Sequence, residues 1–239
     1  MRKLLVSSAI LAAFATPAFA SPIAGLYSTG VDNSGNLLAV GTVDTHYAFG
    51  VVTGPQGSPM ATGTPCVLGM CGVVAPSNVY PGSGPWVPNT PNSQWLAPTA
   101  DAATTYDANA SGYYTWTEDF NLAKGMAASF SGQWAADNTG YATLNGHVIS
   151  TIAAPQYGYK SFTALTDSKY FVAGNNVLQF VVTNQGPNPY SNPTGIQVDI
   201  TSSQMSATPL PAAALLFGSA LVGGGVFSRK RKTDASSMA

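Results

Sequence analysis

Ala142-Thr143-Leu144-Asn145-Gly146-His147-Val148-Ile149 decides the fold. Asn145-Gly146 is a two-residue loop of the types that tolerate positive φ, and it stands between two short apolar and β-branched runs, so the stretch predicts a tight β-hairpin. Outward from it, short runs rich in aromatic and β-branched residues recur between Gly, Pro, Asn and Asp. Tyr114, Trp116 and Phe120 share one face of a run at 113 to 120. Ala128, Phe130 and Trp134 do the same at 126 to 134, and Ile196, Val198 and Ile200 alternate with Gln197, Asp199 and Thr201. Gly174-Asn175-Asn176 precedes Val177-Leu178-Gln179-Phe180-Val181-Val182, a nearly continuous apolar run that reads as a strand covered on both faces. Helical periodicity is hard to find, and the pattern predicts an all-β sandwich.

From Gly54 to Pro98 the texture changes. Pro55, Pro59, Pro65, Pro76, Pro81, Pro85, Pro88, Pro91 and Pro98 punctuate a glycine-rich stretch, which predicts long ordered loops and short edge strands, with Trp86 and Trp95 pinning them to the sandwich. Cys66 and Cys71 lie within it and are the only cysteines. In an oxidising compartment they could close a small disulfide loop. A zinc site would have only His46 and His147 to add, so no metal is expected.

The two ends have a different chemistry. Arg2 and Lys3 precede an apolar core from Leu4 to Phe14, then Pro17 and Ala18-Phe19-Ala20, the layout of a secretory signal peptide cleaved after Ala20. At the other end, Leu210 to Phe227 is eighteen residues without a charge. As a helix this run is about 27 Å long, close to the hydrocarbon thickness of a bilayer. Arg229-Lys230-Arg231-Lys232 follows and fixes the C-terminus on the cytoplasmic side. The expected organisation is a signal peptide at 1–20, a sandwich ectodomain at 21–203 and a C-terminal signal at 204–232 containing a transmembrane helix at about 210–228, with a cytoplasmic tail at 233–239. Ser202 to Thr208, small and polar, reads as the tether.

Charge separates along the same boundaries. Between Ser21 and Thr208 the chain has Lys124, Lys160 and Lys169, no arginine and nine acidic residues, for a formal charge of 3 minus 9, or −6. Such a domain is a poor electrostatic partner for nucleic acid.

The last residues resemble the PEP-CTERM sorting signal of Gram-negative bacteria, through Pro209-Leu210-Pro211-Ala212-Ala213-Ala214, Leu216-Phe217-Gly218-Ser219 and the basic cluster Arg229 to Lys232. Leu210 stands where the eponymous glutamate would be, as in the proline-leucine-proline variant. The resemblance implies an exosortase-like membrane enzyme as partner. That enzyme would cut near Pro209 to Pro211 and deliver the protein from a transient hold in the inner membrane to the cell surface or extracellular polysaccharide matrix. The region between the ends is similar to a domain found in proteins with this signal, through Gly25-Leu26-Tyr27, Thr29-Gly30-Val31-Asp32, Asp44-Thr45-His46-Tyr47, Ser93-Gln94-Trp95, Ala136-Asp137-Asn138, Leu144-Asn145-Gly146 and Asn192-Pro193-Thr194-Gly195. It is also similar to galactose-binding-like jelly rolls, which implies a jelly-roll-like β-sandwich.

Catalytic readings find few residues. Glu118 is the only glutamate, and on a strand Asp119 points to the opposite face, so the two cannot flank a glycosidic bond. No Gly-x-Ser-x-Gly surrounds a serine, and no cofactor is expected. Asp44 and His46 fall on one face if they lie on a strand, where the carboxylate could orient the imidazole; a hydrogen-bonded histidine at a sandwich edge explains them as well. Asp32-Asn33-Ser34-Gly35-Asn36 has one carboxylate, too few for a tight calcium loop, and an Asx-type turn accounts for it. Binding fits better. A carbohydrate site needs an exposed aromatic platform beside amides and carboxylates. Trp86, Trp95, Tyr157 and Tyr159, with Asp137, Asn138 and Asn145 at sheet ends, are the candidates, while Trp116 and Trp134 fall on the core face. The expected protein is exported and non-catalytic, with affinity for extracellular polysaccharide or a purely structural matrix role.

Overall fold

The computed structural model describes residues 20–52, 73–74, 86–98, 107, 111–153, 157–188 and 192–208. These form an all-β, jelly-roll-like sandwich. Its strands are β1 Ala48–Val51, β2 Val73–Val74, β3 Leu96–Ala97, β4 Gly112–Leu122, β5 Met126–Asp137, β6 Thr139–Leu144, β7 His147–Ile152, β8 Thr163–Asp167, β9 Gly174–Asn184 and β10 Gly195–Ala207, with a single 3-10 turn at Gly158–Lys160. One five-stranded sheet runs β1-β4-β9-β6-β7 and the other β2-β3-β10-β5-β8, with antiparallel pairing. From β4 to β10 the chain alternates between the two sheets, except that β6 and β7 form a hairpin within the first.

Side-chain alternation builds that core. On β4, Tyr114, Trp116, Glu118 and Phe120 point inward and are buried, whereas Tyr113, Thr115, Thr117 and Asp119 point outward. Trp134 of β5 reaches Phe180 of β9 across the sandwich at 5.2 Å between ring centroids, and donates its indole N–H to Ser150 Oγ at 2.8 Å. The aromatic layer is thus apolar in bulk, with the Trp134 indole N–H satisfied at its edge.

The expected hairpin is present. Leu144 pairs with His147, and Asn145 and Gly146 have φ of 52° and 81°, the left-handed pair that a two-residue turn matched to strand twist requires. Asn145 does more than turn the chain: Nδ2 donates to Tyr170 O (2.8 Å) and Asn176 Oδ1 (2.9 Å), and Oδ1 accepts from Val177 N (2.9 Å). At Gly140 a Cβ would collide with the Val181 carbonyl, so glycine permits the close approach of β6 to β9.

Three expectations need correction. β9 is central in its sheet but covered on one face only: Leu178, Phe180 and Val182 are buried, while Val177, Gln179 and Val181 are half-buried. β10, expected to alternate, is buried on both faces over its first five residues, 195–199, where the Thr29 and Ser93 segments lie against it. Thr29 Oγ1 accepts from Val198 N (2.9 Å), and Gln197 Nε2 donates to Ser93 Oγ (3.0 Å), so Gln197 and Asp199 are buried as well. Finally, most of the expected tether is strand. β10 continues to Ala207, and Met205 exchanges backbone hydrogen bonds with Ser21 (2.7 and 3.1 Å), so the sandwich takes in Ser202 to Ser206. Ser206 also closes the compact unit that contains the sandwich.

Candidate functional site

The tryptophans expected to form an exposed platform are interior. Trp86 is 2% and Trp95 0% exposed. They stack on each other at 4.3 Å and pack with Ala97 and Ala135 in a second, smaller core. Trp95 Nε1 donates to Val87 O and Trp86 Nε1 to Asp137 Oδ2, both at 2.8 Å. Small neighbours make room: the Trp86 ring lies 3.1 Å from where a Cβ at Gly195 would be. Asp137 is therefore a buried acceptor, with Trp86 as its donor, and burial pushes its carboxyl up to about 7. Asn138 Oδ1 accepts from Gln185 N (2.7 Å) and its carbonyl accepts from Gly158 N (2.8 Å). With Asn145 bound as described, none of these five forms an exposed sugar platform. Tyr157 is exposed, and Lys160 Nζ sits 4.6 Å from its ring centre, whereas Tyr159 packs against the tryptophan pair. Ala20, at the expected signal cleavage, is exposed and opens the described chain. Ala18, Cys66, Cys71, Pro209, Leu210, Pro211, Arg229, Lys230, Arg231 and Lys232 lie outside the described residues, as does the apolar run expected to span the membrane. Among the described residues no helix is long and apolar enough to cross a membrane.

The N-terminal segment folds over the β1–β4 end of the first sheet through buried acids. Glu118 Oε1 accepts from Tyr27 N at 2.8 Å, and Tyr47 Oη donates to Tyr27 O at 2.7 Å. Burial pushes the Glu118 carboxyl well above its usual range; Asp119 faces solvent on the other side of β4, as expected. Asp44 precedes β1 in a turn and not on a strand. Its Oδ2 accepts from Gly30 N (2.7 Å) and its Oδ1 from His46 N (2.9 Å), and burial raises its carboxyl against these bonds. His46 Nδ1 lies 3.1 Å from Asp44 Oδ1 and Nε2 lies 2.9 Å from Asn33 Oδ1, with the Tyr27 ring stacked on the imidazole at 3.9 Å. The imidazole thus has a carboxylate beside one nitrogen and an amide, not a nucleophilic hydroxyl, at the other. Asp32 Oδ1 accepts from Ser34 N (2.8 Å) and Asn36 N (2.9 Å), the Asx turn read from sequence, and bonds from Asn36 hold its carboxyl below the usual value. Among the described residues no three His, Cys, Asp or Glu converge for a metal.

Above these groups is a depression of about 390 Å³ whose walls include Val43, Thr45 and His46 and whose β4 side is Thr117 and Asp119. The register Ala48↔Thr117 brings these distant segments together. Thr117 Oγ1 accepts from Gln179 Nε2 (3.1 Å) and Asp119 Oδ1 from Asn175 Nδ2 (3.2 Å). Volume and lining suit a small polar ring: hydroxyl, carboxylate and imidazole edges beside the apolar Val43, which is 41% exposed. A second depression of about 390 Å³ holds Tyr27, Ser28, Asn92 and Thr201, so the Tyr27–His46 stack stands between the two. Sequence reading missed Thr117 as a site residue and weighed Asp119 only as an acid. The available signal was parity: on β4 every polar neighbour of the inward aromatics except Glu118 must face out.

No family model matches the chain, and no curated protein matches it. Among solved structures it is similar to a β-glucosidase of Kluyveromyces marxianus (12% identity, TM-score 0.28, 38% of this chain and 11% of that one). It is also similar to a family 35 carbohydrate-binding module of Cellvibrio japonicus Abf62 (12%, TM-score 0.30, 63% and 97%). A third is Xyl-CBM35 in complex with a glucuronic acid-containing disaccharide (13%, TM-score 0.28, 64% and 98%).

Proposed function

We propose that the protein is an exported, non-catalytic component of the cell surface or extracellular matrix whose sandwich binds carbohydrate. The observation that carries this reading is the depression beside β4, where Thr117, Asp119, Thr45 and His46 edges meet an exposed apolar side chain at a volume suited to a sugar ring. Its non-catalytic character is supported by Glu118 lying in the core and by Asn33 occupying the outer nitrogen of His46. Sorting is supported by the Pro209-Leu210-Pro211 tag, the apolar run and the basic cluster, which together suit a temporary inner-membrane hold and release by an exosortase-like enzyme.

A glycan array probed with the protein and its Asp119→Asn variant tests the binding. Saccharide binding weakened by the variant supports it, and silence across the array contradicts it. Mass spectrometry of the surface-exposed protein tests the sorting: loss of the C-terminus near Pro209 to Pro211 is expected, and an intact Arg229 to Lys232 cluster contradicts it. A purely structural matrix role is the second reading, favoured by the burial of Trp86 and Trp95.

A further inference from the structure

The outward face of the first sheet continues from the depression. On β4, β9 and β6, register sets Thr115, Val181 and Tyr141 in one row across three strands, and Thr151 of β7 extends it. Exposure rises along the row, from the half-buried Thr115 and Val181 to the exposed Tyr141 and Thr151, and Tyr141 is 41% exposed. The Thr117–Gln179 hydrogen bond forms the adjacent rung and also belongs to the depression. Thr117 and Tyr141 are two residues and two strands apart, a separation of about 12 Å at the usual rise and strand spacing. A single sugar ring cannot bridge that distance. A chain can.

The charge of this face selects among chains. The five strands of the sheet contain no lysine or arginine, and Asp119 is the carboxylate on the outward side. A uronate-bearing polymer would meet this carboxylate on a sheet whose strands carry no cation, in a domain of formal charge −6. Hydroxyls, in contrast, find threonine oxygens and the Gln179 and Asn175 amides, and the apolar face of a sugar ring finds the Tyr141 ring.

Building on the carbohydrate-binding reading, we infer that the ligand is a neutral, hydroxyl-rich polysaccharide laid across β4, β9 and β6, with one ring in the depression and another stacked on Tyr141. Acidic polysaccharides are excluded from the site.

Affinity electrophoresis of the full chain in neutral detergent, through gels containing neutral glucan, neutral mannan or alginate, tests this. Calorimetry with neutral oligosaccharides of graded length complements it. Retardation by a neutral polymer and not by alginate is expected, with affinity rising with length. Tyr141→Thr, which keeps a strand-forming residue at an exposed position, should weaken long-chain binding about tenfold and leave a disaccharide unaffected. Retardation by alginate, length-independent affinity, or unchanged long-chain binding in Tyr141→Thr would overturn the inference. In each of these cases the carbohydrate reading survives if Asp119→Asn still weakens binding. Failure of every saccharide, neutral or acidic, removes both.

Discussion

Asp137 should make the protein lose stability as pH rises from acid to neutral, and Asp137→Asn should remove that loss. The carboxyl is 4% exposed, accepts the Trp86 indole N–H at 2.8 Å, and is raised from 3.8 to about 7 by burial. Because the folded value is the higher one, the native state holds a proton that the unfolded state has already released between these two pH values. Stability therefore falls with a slope of about 1.4 kcal/mol per pH unit across that window and levels off above it. The shift of about three units corresponds to as much as about 4 kcal/mol. Asparagine keeps an acceptor for the indole and never ionises. The variant should match the wild type near about pH 4 and exceed it by a few kcal/mol at about pH 8. Burial also raises Asp44, Asp107 and Glu118, but these are common to both proteins and cancel in the difference. Urea unfolding followed by tryptophan fluorescence at several pH values supplies the difference curve. A flat curve, or a wild type that gains on the variant as pH rises, would refute the reasoning.

Trp86→Ala should act on folding before binding: it empties the stack against Trp95 and strands Asp137, at a cost of about 3–5 kcal/mol in thermal or urea unfolding. A variant of normal stability that had lost only sugar affinity would contradict its interior placement. Asn145→Ala should destabilise by about 1–3 kcal/mol, and more than Asn145→Gly, because alanine loses both the positive φ and the bonds to Tyr170, Asn176 and Val177; urea midpoints in the reverse order would contradict this. Gly140→Ala should disrupt the β6–β9 pairing, read as lost amide protection in hydrogen exchange along Val181 and its neighbours, and unchanged protection there would contradict the close approach.

What could be read from the chain was local. The Asn145-Gly146 hairpin follows from two residues that accept positive φ, and the β4 core face from period-two alternation of Tyr114, Trp116 and Phe120. The same parity places Glu118 inside. Its partner, Tyr27 N, is 91 residues away, so only the fold shows how that burial is tolerated. Trp86 and Trp95 looked like loop aromatics because nothing nearby announces the cover. Ala97 and Ala135 supply it from different strands, and Gly195 leaves the space. Gln197 and Asp199 alternate as solvent-facing residues should, yet segments near Thr29 and Ser93 lie over them. Asp44 and His46 were expected on one face of a strand, but their contact arises in the loop before β1, and its place as one wall of a depression closed by Thr117 and Asp119 depended on the β1–β4 register, which pattern alone does not specify.

The central claim is that hydroxyl-rich carbohydrate enters the depression beside β4. Thr117→Trp tests it most directly, since an indole on this outward strand position fills the cavity and leaves the core face untouched. Calorimetric titration with a neutral polysaccharide, alongside urea unfolding of the same samples, should show binding in the wild type and its loss in Thr117→Trp at an unchanged unfolding midpoint. Equal binding by the two proteins would contradict the claim.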